Sequence, residues 1–255
     1  MRGQGIWLRG FSGLGMAFLY LPIVVLVVFS FNASRLSAVW QEFSWHWYGV
    51  LWHDEALFAA AANSLWVAAL STSLVVLLGV PAAMGLERLR GRGRQALETI
   101  FLLPLVLPEV MMGVALLLFF VMIQWPLSLA TVVIGHAAFN LPVVVVMVQA
   151  RLQKLDPRLE EAARDLGASA WQTFYRITWP LVRPAVLGAA LLAFTISLDD
   201  FIVTFFVAGP GSTTLPLKVY SMIKSGLSPE INALSSVLVL ASMGLVGLSL
   251  VFQRR

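Results

Sequence analysis

The 255-residue sequence contains no cysteine, and only 12% of its residues are charged. Without cysteine, the chain can form no disulfide, no thiolate metal site and no cysteine nucleophile. Soluble domains carry about 25% charged residues, whereas 59% of this chain is hydrophobic and its mean hydropathy is +0.86. The composition therefore excludes an ordinary water-soluble domain and predicts a single membrane domain that spans residues 1–255.

Two further absences argue against an ATP-binding loop and a histidine metal site in this chain. The sequence has no Gly-Lys pair, so it lacks the G-x-x-x-x-G-K-[ST] loop that binds the phosphates of ATP. Its three histidines, His46, His53 and His136, do not have the spacing of metal ligands. We therefore expect no catalytic residue, no metal site and no cofactor in this chain, and any ATP hydrolysis would require another polypeptide.

Long uncharged runs predict an all-α fold with six transmembrane helices, because a crossing needs about 20 apolar residues. The predicted spans are 11–31, 59–80, 99–122, 127–150, 184–206 and 231–252. The uncharged run 56–86 is longer than one crossing, so its first residues are expected to lie in a loop. Gln124-Trp125-Pro126 predicts the turn between the third and fourth spans.

The basic residues indicate the orientation. Three of the 17 lie in loops on one side, namely Arg35, Lys218 and Lys224. The others lie on the opposite side: Arg2, Arg9, Arg88, Arg90, Arg92, Arg94, Arg151, Lys154, Arg158, Arg164, Arg176, Arg183, Arg254 and Arg255. Because positive charge accumulates in cytoplasmic loops, both termini and the 151–183 loop are predicted to be cytoplasmic. The cluster between Arg88 and Arg94 is expected to contact anionic lipid rather than nucleic acid.

The 151–183 loop predicts two short helices. Asp156-Pro157 is a helix start and Gly167 a left-handed stop. Between them, one apolar face is formed by Leu159, Ala162, Ala163 and Leu166. Ser169 and Gln172 form a capping box for a second, aromatic helix that is expected to end before Pro180. A small, apolar helix face suggests docking rather than a simple linker.

The same loop resembles a known signature. Glu161-Ala162-Ala163, then Gly167, then Ile177-x-x-Pro180 is similar to the EAA loop of binding-protein-dependent ABC importer permeases, with Trp179 in place of the usual leucine before the proline. The resemblance implies a type I ABC importer permease fold, in which this loop is a coupling helix that docks in a cytoplasmic ATPase. It assigns ATPase coupling to Glu161, Ala162, Ala163, Asp165, Gly167, Ile177 and Pro180.

Four other stretches look like the polyamine branch of this family. They are 29–32, 194–200, 209–211 and 229–233. The resemblance implies a subunit for import of putrescine or spermidine, located in a bacterial inner membrane. The implied partners are a second permease in a heterodimer, an ATPase dimer that binds ATP and Mg, a periplasmic polyamine-binding protein and membrane lipid.

Three acidic residues fall within predicted spans that contain no Lys or Arg: Glu109, Asp199 and Asp200. Because a charge in the bilayer is costly, such residues usually face a cavity or a partner. A cation pathway is one interpretation, and protonated or structurally hydrogen-bonded carboxylates are the other. Counted along straight helices, Glu109 lies near the midplane.

The stripe of Ser197, Asp200 and Thr204 places Asp200 on the pathway and Asp199 at a helix–helix contact. Pro104 and Pro108 predict a broken helix beside Glu109. His136 is expected to form hydrogen bonds between helices rather than a proton relay.

Three alternatives remain at this point. A secondary cation transporter driven by an ion gradient could use the same acids as a relay. An ABC permease could carry iron, another metal or an amino acid instead of a polyamine. An intramembrane hydrolase could use Ser197 with His136, although no spacing in the sequence supports it.

Overall fold

The computed structural model describes residues 3–34, 39–226 and 228–253, and over these ranges the regular secondary structure is helical apart from one isolated antiparallel bridge between Asn32 and Phe43. The first six helices are α1 (Gly3–Phe29), α2 (His46–Trp52), α3 (Glu55–Arg88), α4 (Arg92–Val106), α5 (Glu109–Met122) and α6 (Leu129–Leu152). They are followed by α7 (Arg158–Asp165), α8 (Ala170–Thr173), a π-helical turn (Phe174–Thr178), α9 (Trp179–Asp199), α10 (Ile202–Val207), α11 (Leu215–Ser225) and α12 (Pro229–Gln253).

Within the described ranges, four helical segments are long and apolar enough to cross a membrane. They are Phe11–Phe29, α3, α6 and the continuous segment Ala170–Asp199. Together α4 and α5 would form a fifth, bent crossing, and α12 occupies the last predicted span. The prediction of a helical protein with several apolar helices is confirmed.

The start of α3 corrects one prediction, because the first residues of the 56–86 run are helical. The carboxylate of Asp54 accepts a hydrogen bond from the N–H of Leu57 at 3.0 Å, and the Asp54 carbonyl accepts one from the N–H of Phe58 at 3.2 Å. This cap satisfies N–H groups that would otherwise lack a partner. With 34 residues, α3 is about 51 Å long, well beyond the roughly 30 Å of hydrocarbon.

The chain is divided into two compact units. The first comprises residues 1–58 and 218–255, and in it α12 packs against α1 and α2. An aromatic cluster follows α1, in which Phe31 stacks on Phe43 at 5.2 Å between ring centroids and meets Trp45 edge-on at 4.8 Å. Trp47 is buried and donates from Nε1 to the Asn32 carbonyl at 2.8 Å. These contacts fix the short α2 to the end of α1.

An ion pair within this first unit leads to a pH prediction. The Lys218 Nζ atom lies 3.0 Å from Asp54 Oδ2, and about a fifth of each side chain is exposed. Burial raises the pKa of Asp54, but the hydrogen bonds from Lys218 and Leu57 outweigh it and hold the pKa below its ordinary value. A lowered pKa in the folded state contributes stability above the unfolded-state pKa of about 3.9, and this contribution is lost as the pH falls through the folded value.

We therefore expect the purified chain to melt at a higher temperature than the Asp54→Asn variant at pH 7. The difference should shrink as the pH is lowered from 4.5 to below 3 (roughly the titration range of an ordinary and a lowered carboxyl group). Thermal unfolding in detergent at a series of pH values measures this. A difference in melting temperature that stays constant down to the lowest pH would contradict the role of the ion pair.

The second unit, residues 59–217, has its apolar core between α3, α6 and α9. The most deeply buried side chains there are small or β-branched: Val75, Ala83, Val144, Val148, Ala189 and Ala193. A second cluster joins α10 to α5 and α6 around Phe120, Val132, Val203 and Val207. Small residues at these contacts allow helix backbones to approach closely, as membrane helix packing requires.

The predicted third span is two helices rather than one. At Leu107-Pro108 the chain bends by 108° between α4 and α5. Proline lacks a backbone N–H and disfavours a helical residue before it, which explains the break at Pro108, whereas Pro104 lies inside α4. The predicted break is confirmed, and the straight helix along which the depth of Glu109 was counted is replaced by two helices, so the depth stays a prediction.

The helix predicted to end before Pro180 instead continues. From Ala170 to Asp199 the chain is helical without interruption, and the π-helical turn lies just before Trp179-Pro180. The Trp179 N–H reaches back five residues to the Phe174 carbonyl. Pro180 has no N–H to donate, and the wider turn just before it accommodates the proline without ending the helix. The 151–183 loop therefore runs directly into α9.

Candidate functional site

All three predicted acids line one cavity in the second unit. Glu109 is the first residue of α5, Asp199 is the last of α9, and Asp200 begins the link to α10. The cavity has a volume of about 410 Å³, and its other lining residues are Phe139, Ile196, Phe201, Ile202 and Val203. Two helix breaks, at Pro108 and at Asp200, therefore bring together carboxylates that are 90 residues apart in the sequence.

Two of these carboxylates lack a protein partner. Glu109 and Asp199 are exposed in this chain, and neither side chain forms a hydrogen bond or ion pair with any residue in the described ranges. Glu109 stands at a helix N-terminus, where the helix dipole favours negative charge. Both carboxylates therefore face the cavity without a counter-charge from the described residues.

Asp200 differs from the other two acids, because its side chain is buried and hydrogen-bonded. Its oxygens accept hydrogen bonds from the backbone N–H groups of Val203 at 3.2 Å and Thr204 at 2.9 Å, and from the Thr204 hydroxyl at 2.9 Å. His136 Nε2 lies 3.0 Å from Asp200 Oδ2. Asp200 thereby caps α10, and this is why the fifth predicted span is interrupted: Asp200 itself has an extended backbone with ψ of 124°.

The predicted division between the two aspartates stays a prediction. Both line the cavity, but among the described residues only Asp200 has a side-chain partner on another helix, His136 on α6, while Asp199 is exposed without one. Ser197, Asp200 and Thr204 still share one side despite the break after Asp199, because all three contact the His136 ring at 2.6–3.0 Å. The predicted hydrogen-bonding role of His136 between helices is confirmed.

The polar cluster around His136 has the connectivity of a Ser-His-Asp triad. His136 Nδ1 lies 2.6 Å from Ser197 Oγ, and Nε2 faces Asp200. However, Ser197 is 3% exposed, its hydroxyl lies 3.2 Å from that of Ser71, and it lines neither cavity beside the acids. A nucleophile needs space for a substrate and donors for the oxyanion, so this cluster is structural and ties α3, α6 and α9 together.

A residue that the sequence analysis did not select also lines this region. Asn140, one helical turn after His136 on α6, is completely buried, and both polar atoms of its side chain lack a partner within the described ranges. It lines a second cavity of about 180 Å³ that also contains Glu109. The sequence feature that could have identified Asn140 is its position four residues after His136. Among the described residues, no three His, Asp or Glu side chains are grouped as metal ligands.

The loop predicted for ATPase coupling forms the expected helix pair. The Asp156 carboxylate accepts a hydrogen bond from the Arg158 N–H at 3.0 Å and starts α7. Gly167, with φ of 83°, ends it, and the N–H groups of Gly167 and Ala168 bond to the carbonyls of Arg164 and Ala163. This is a Schellman motif, which requires a left-handed residue at the glycine position.

Side-chain contacts hold α7 against the following segment. The Thr178 hydroxyl donates to Glu160 Oε1 at 2.6 Å, and Arg164 Nη2 lies 3.3 Å from Glu160 Oε2. The predicted capping box is present, since the Ser169 N–H donates to the Gln172 side chain at 2.9 Å and the Ser169 hydroxyl accepts from the Gln172 N–H at 3.3 Å. The contact between Glu160 and Thr178 thus ties α7 to the π-helical turn that leads into α9.

The predicted coupling residues divide into two sets. Ala163 is buried and Ile177 half-buried against their own chain, whereas the exposed residues are Glu161, Ala162, Asp165, Gly167 and Pro180. Leu166 is 90% exposed, and in the segment that follows Trp171 is 71% and Tyr175 62% exposed. An apolar group of this size in solvent is unusual and typical of an interaction site.

These features define a helical membrane protein with an acid-lined cavity and a helix pair that bears exposed apolar side chains. Residues 75–255 match the family model described as "binding-protein-dependent transport system inner membrane component". The chain belongs to this family of inner-membrane transport permeases.

Three curated relatives of this chain are permeases named for different cargoes. The chain is 44% identical to the putrescine transport system permease protein PotI of Escherichia coli K12, covering 92% of this chain and 85% of that protein. It is 40% identical to the spermidine/putrescine permease PotC of the same organism, covering 93% and 90%. It is 34% identical to the molybdenum permease ModB of Mycobacterium bovis, covering 89% and 90%. These relatives are transport subunits, not enzymes.

Solved structures agree on the fold. A bacterial ABC transporter that imports the acidic polysaccharide alginate superposes with a TM-score of 0.73 at 18% identity, covering 99% of this chain and 96% of that one. The same type of transporter, in complex with an alginate-bound periplasmic protein, superposes with a TM-score of 0.71 at 18% identity, covering 95% and 92%. The chain therefore has an ABC importer permease fold.

Proposed function

We propose that this chain is the permease subunit of an ATP-driven importer of polyamines, putrescine or spermidine. It would cross the inner membrane six times, at the spans predicted from the sequence, with both termini and the 151–183 loop in the cytoplasm. The single observation that carries the cargo assignment is the cavity lined by Glu109, Asp199 and Asp200. The similarity to permeases of putrescine and spermidine systems supports it.

The charges favour a cationic cargo. Asp200 has His136 as its partner, but the carboxylates of Glu109 and Asp199 have none among the described residues. A carboxylate in an apolar region without a counter-charge is costly. A polyamine is a flexible aliphatic cation, so its ammonium groups would neutralise these acids while its methylene groups contact Phe139, Ile196 and Val203 in the cavity wall.

Partner chains would supply the energy and the cargo. The exposed side of α7 would dock in an ATPase dimer that binds ATP and Mg, and the contact from Glu160 to Thr178 would carry its movement to α9. A second permease would complete the pathway as a heterodimer, and a periplasmic polyamine-binding protein would deliver the cargo. The solved relative in complex with a periplasmic protein supports such an assembly for this fold.

The acid-lined cavity can be tested by neutralising its unpartnered carboxylates. We expect Glu109→Gln and Asp199→Asn each to lower the initial rate of labelled putrescine uptake about tenfold, since a charge-assisted interaction contributes about 1.5–3 kcal/mol. Uptake would be measured in liposomes that contain the complete complex and enclosed ATP.

Glu55→Gln is a matched control, because Glu55 is also an exposed glutamate at the first position of a helix. Its uptake should equal that of the unmodified complex. Unchanged uptake in both cavity variants would overturn the acid-lined pathway. Full-rate uptake by the permeases without the ATPase would instead favour the secondary cation transporter.

A further inference from the structure

Beside the acid-lined cavity lies the smaller one of about 180 Å³, and the two share four lining residues: Glu109, Phe139, Ile196 and Val203. The smaller cavity lies where α4 breaks from α5. Its wall is apolar except for Glu109 and Asn140, and includes Leu105, Met112 and Val143. A single water molecule needs only about 10–15 Å³ of such space, so there is room for a larger group.

The Asn140 side chain is anomalous in this position. It is 0% exposed, and neither its amide nitrogen nor its carbonyl oxygen has a hydrogen-bond partner among the described residues. An unsatisfied buried polar group is destabilising, and nearly all such groups in native proteins have partners. Nearby polar residues do not provide one, because His136 is already bonded to Ser197, Thr204 and Asp200.

We propose that this smaller cavity is a subsite for one ammonium group of the cargo, held between the carboxylate of Glu109 and the carboxamide oxygen of Asn140. The carboxylate neutralises the charge, the amide oxygen accepts one of the three ammonium hydrogens, and the apolar wall packs against the adjoining methylene groups. This inference rests on the proposed function and extends it. It assigns the ligand class, an aliphatic primary ammonium, and identifies Asn140 as a residue that determines specificity.

The geometry explains why an amide suits this position better than a second carboxylate. An ammonium group held by one carboxylate and one neutral acceptor forms a pair without net charge, so it can leave again. Binding that is favourable but readily reversible is what passage through a pore requires.

The test compares Asn140→Leu with the unmodified protein in the complete complex, using two measurements. Leucine has nearly the shape of asparagine and removes the unsatisfied amide. We expect the melting temperature of the complex to stay the same or rise, while uptake of labelled putrescine below its half-saturating concentration falls about tenfold. Thr72→Val is the control, because the Thr72 hydroxyl is also buried without a partner in the described ranges but lines neither cavity.

Three results would overturn the inference. One is normal putrescine uptake by Asn140→Leu, as expected if the cavity holds only water. Another is a lower melting temperature of Asn140→Leu together with lower uptake, which would show a structural role. The third is an equal loss of uptake in Thr72→Val. If the unmodified complex itself takes up no putrescine, the proposed function fails, and this outcome is distinct from a failure of the subsite.

Discussion

Leu166→Glu is expected to abolish ATP-driven uptake while leaving the permease folded. The Leu166 side chain is 90% exposed at the end of α7, so the substitution removes no contact within the chain. Burial of a leucine in an interface contributes about 1.5–3 kcal/mol, and a carboxylate in the same place adds a desolvation cost. Because 1.4 kcal/mol changes an affinity about tenfold, we expect the affinity for the ATPase to fall at least tenfold.

The measurements are retention of a tagged ATPase on the purified permeases and the uptake rate in liposomes. Leu166→Met is the matched control, since it preserves volume and apolar character, and it should retain the ATPase. The melting temperature of the isolated permeases should be the same for all three proteins. Retention of the ATPase by Leu166→Glu at the unmodified level would show that α7 does not dock through this side chain.

Gly209→Ala is expected to have the largest effect on stability. Gly209 follows α10 and lies against the chain just before α6, where the Thr131 hydroxyl bonds to the Val207 carbonyl at 2.7 Å. A Cβ atom at Gly209 would overlap the carbonyl of Leu127. Both sides of this contact are backbone, so neither can move by changing a rotamer, and we expect a loss of about 3 kcal/mol or more.

For a domain of this size, such a loss lowers the melting temperature by about 6 °C or more. Thermal unfolding in detergent measures it, together with the yield of protein extracted from membranes. Gly85→Ala is the control, because Gly85 is an exposed helical glycine with nothing within 4 Å of the added Cβ. Alanine there should be neutral or slightly stabilising. Equal melting temperatures for Gly209→Ala and the unmodified protein would contradict the backbone contact.

The sequence could predict most of the helices because hydropathy and the chemistry of helix ends are local properties. Asp156, Gly167 and the pair Ser169 and Gln172 begin and end helices as predicted, since a cap needs only neighbouring residues. The prediction of helix ends failed where one side chain accepts hydrogen bonds from backbone N–H groups at the start of a helix. Asp54 begins α3 early, and Asp200 interrupts the fifth span by capping α10.

The acidic residues of the candidate site could be predicted from the sequence, but which of them has a partner could not. Charge in an apolar run identifies Glu109, Asp199 and Asp200, but only a three-dimensional contact distinguishes the paired Asp200 from the unpartnered Asp199. Asn140 was not selected because asparagine within an apolar helix is usually a partner in a hydrogen bond between helices. Its importance lies in having no such bond among the described residues, which sequence cannot show.

The sequence by itself determined that this is a helical membrane protein that resembles binding-protein-dependent permeases, because apolar length and the spacing around Glu161 and Gly167 are properties of order along the chain. Tertiary structure decided which of the cavity acids has a side-chain partner among the described residues. A helix break rotates every residue after it, and the direction of the chain beyond Pro108 or Asp200 depends on what α5 and α10 pack against. The chemistry of the cavity is therefore set by contacts between helices that are distant in sequence.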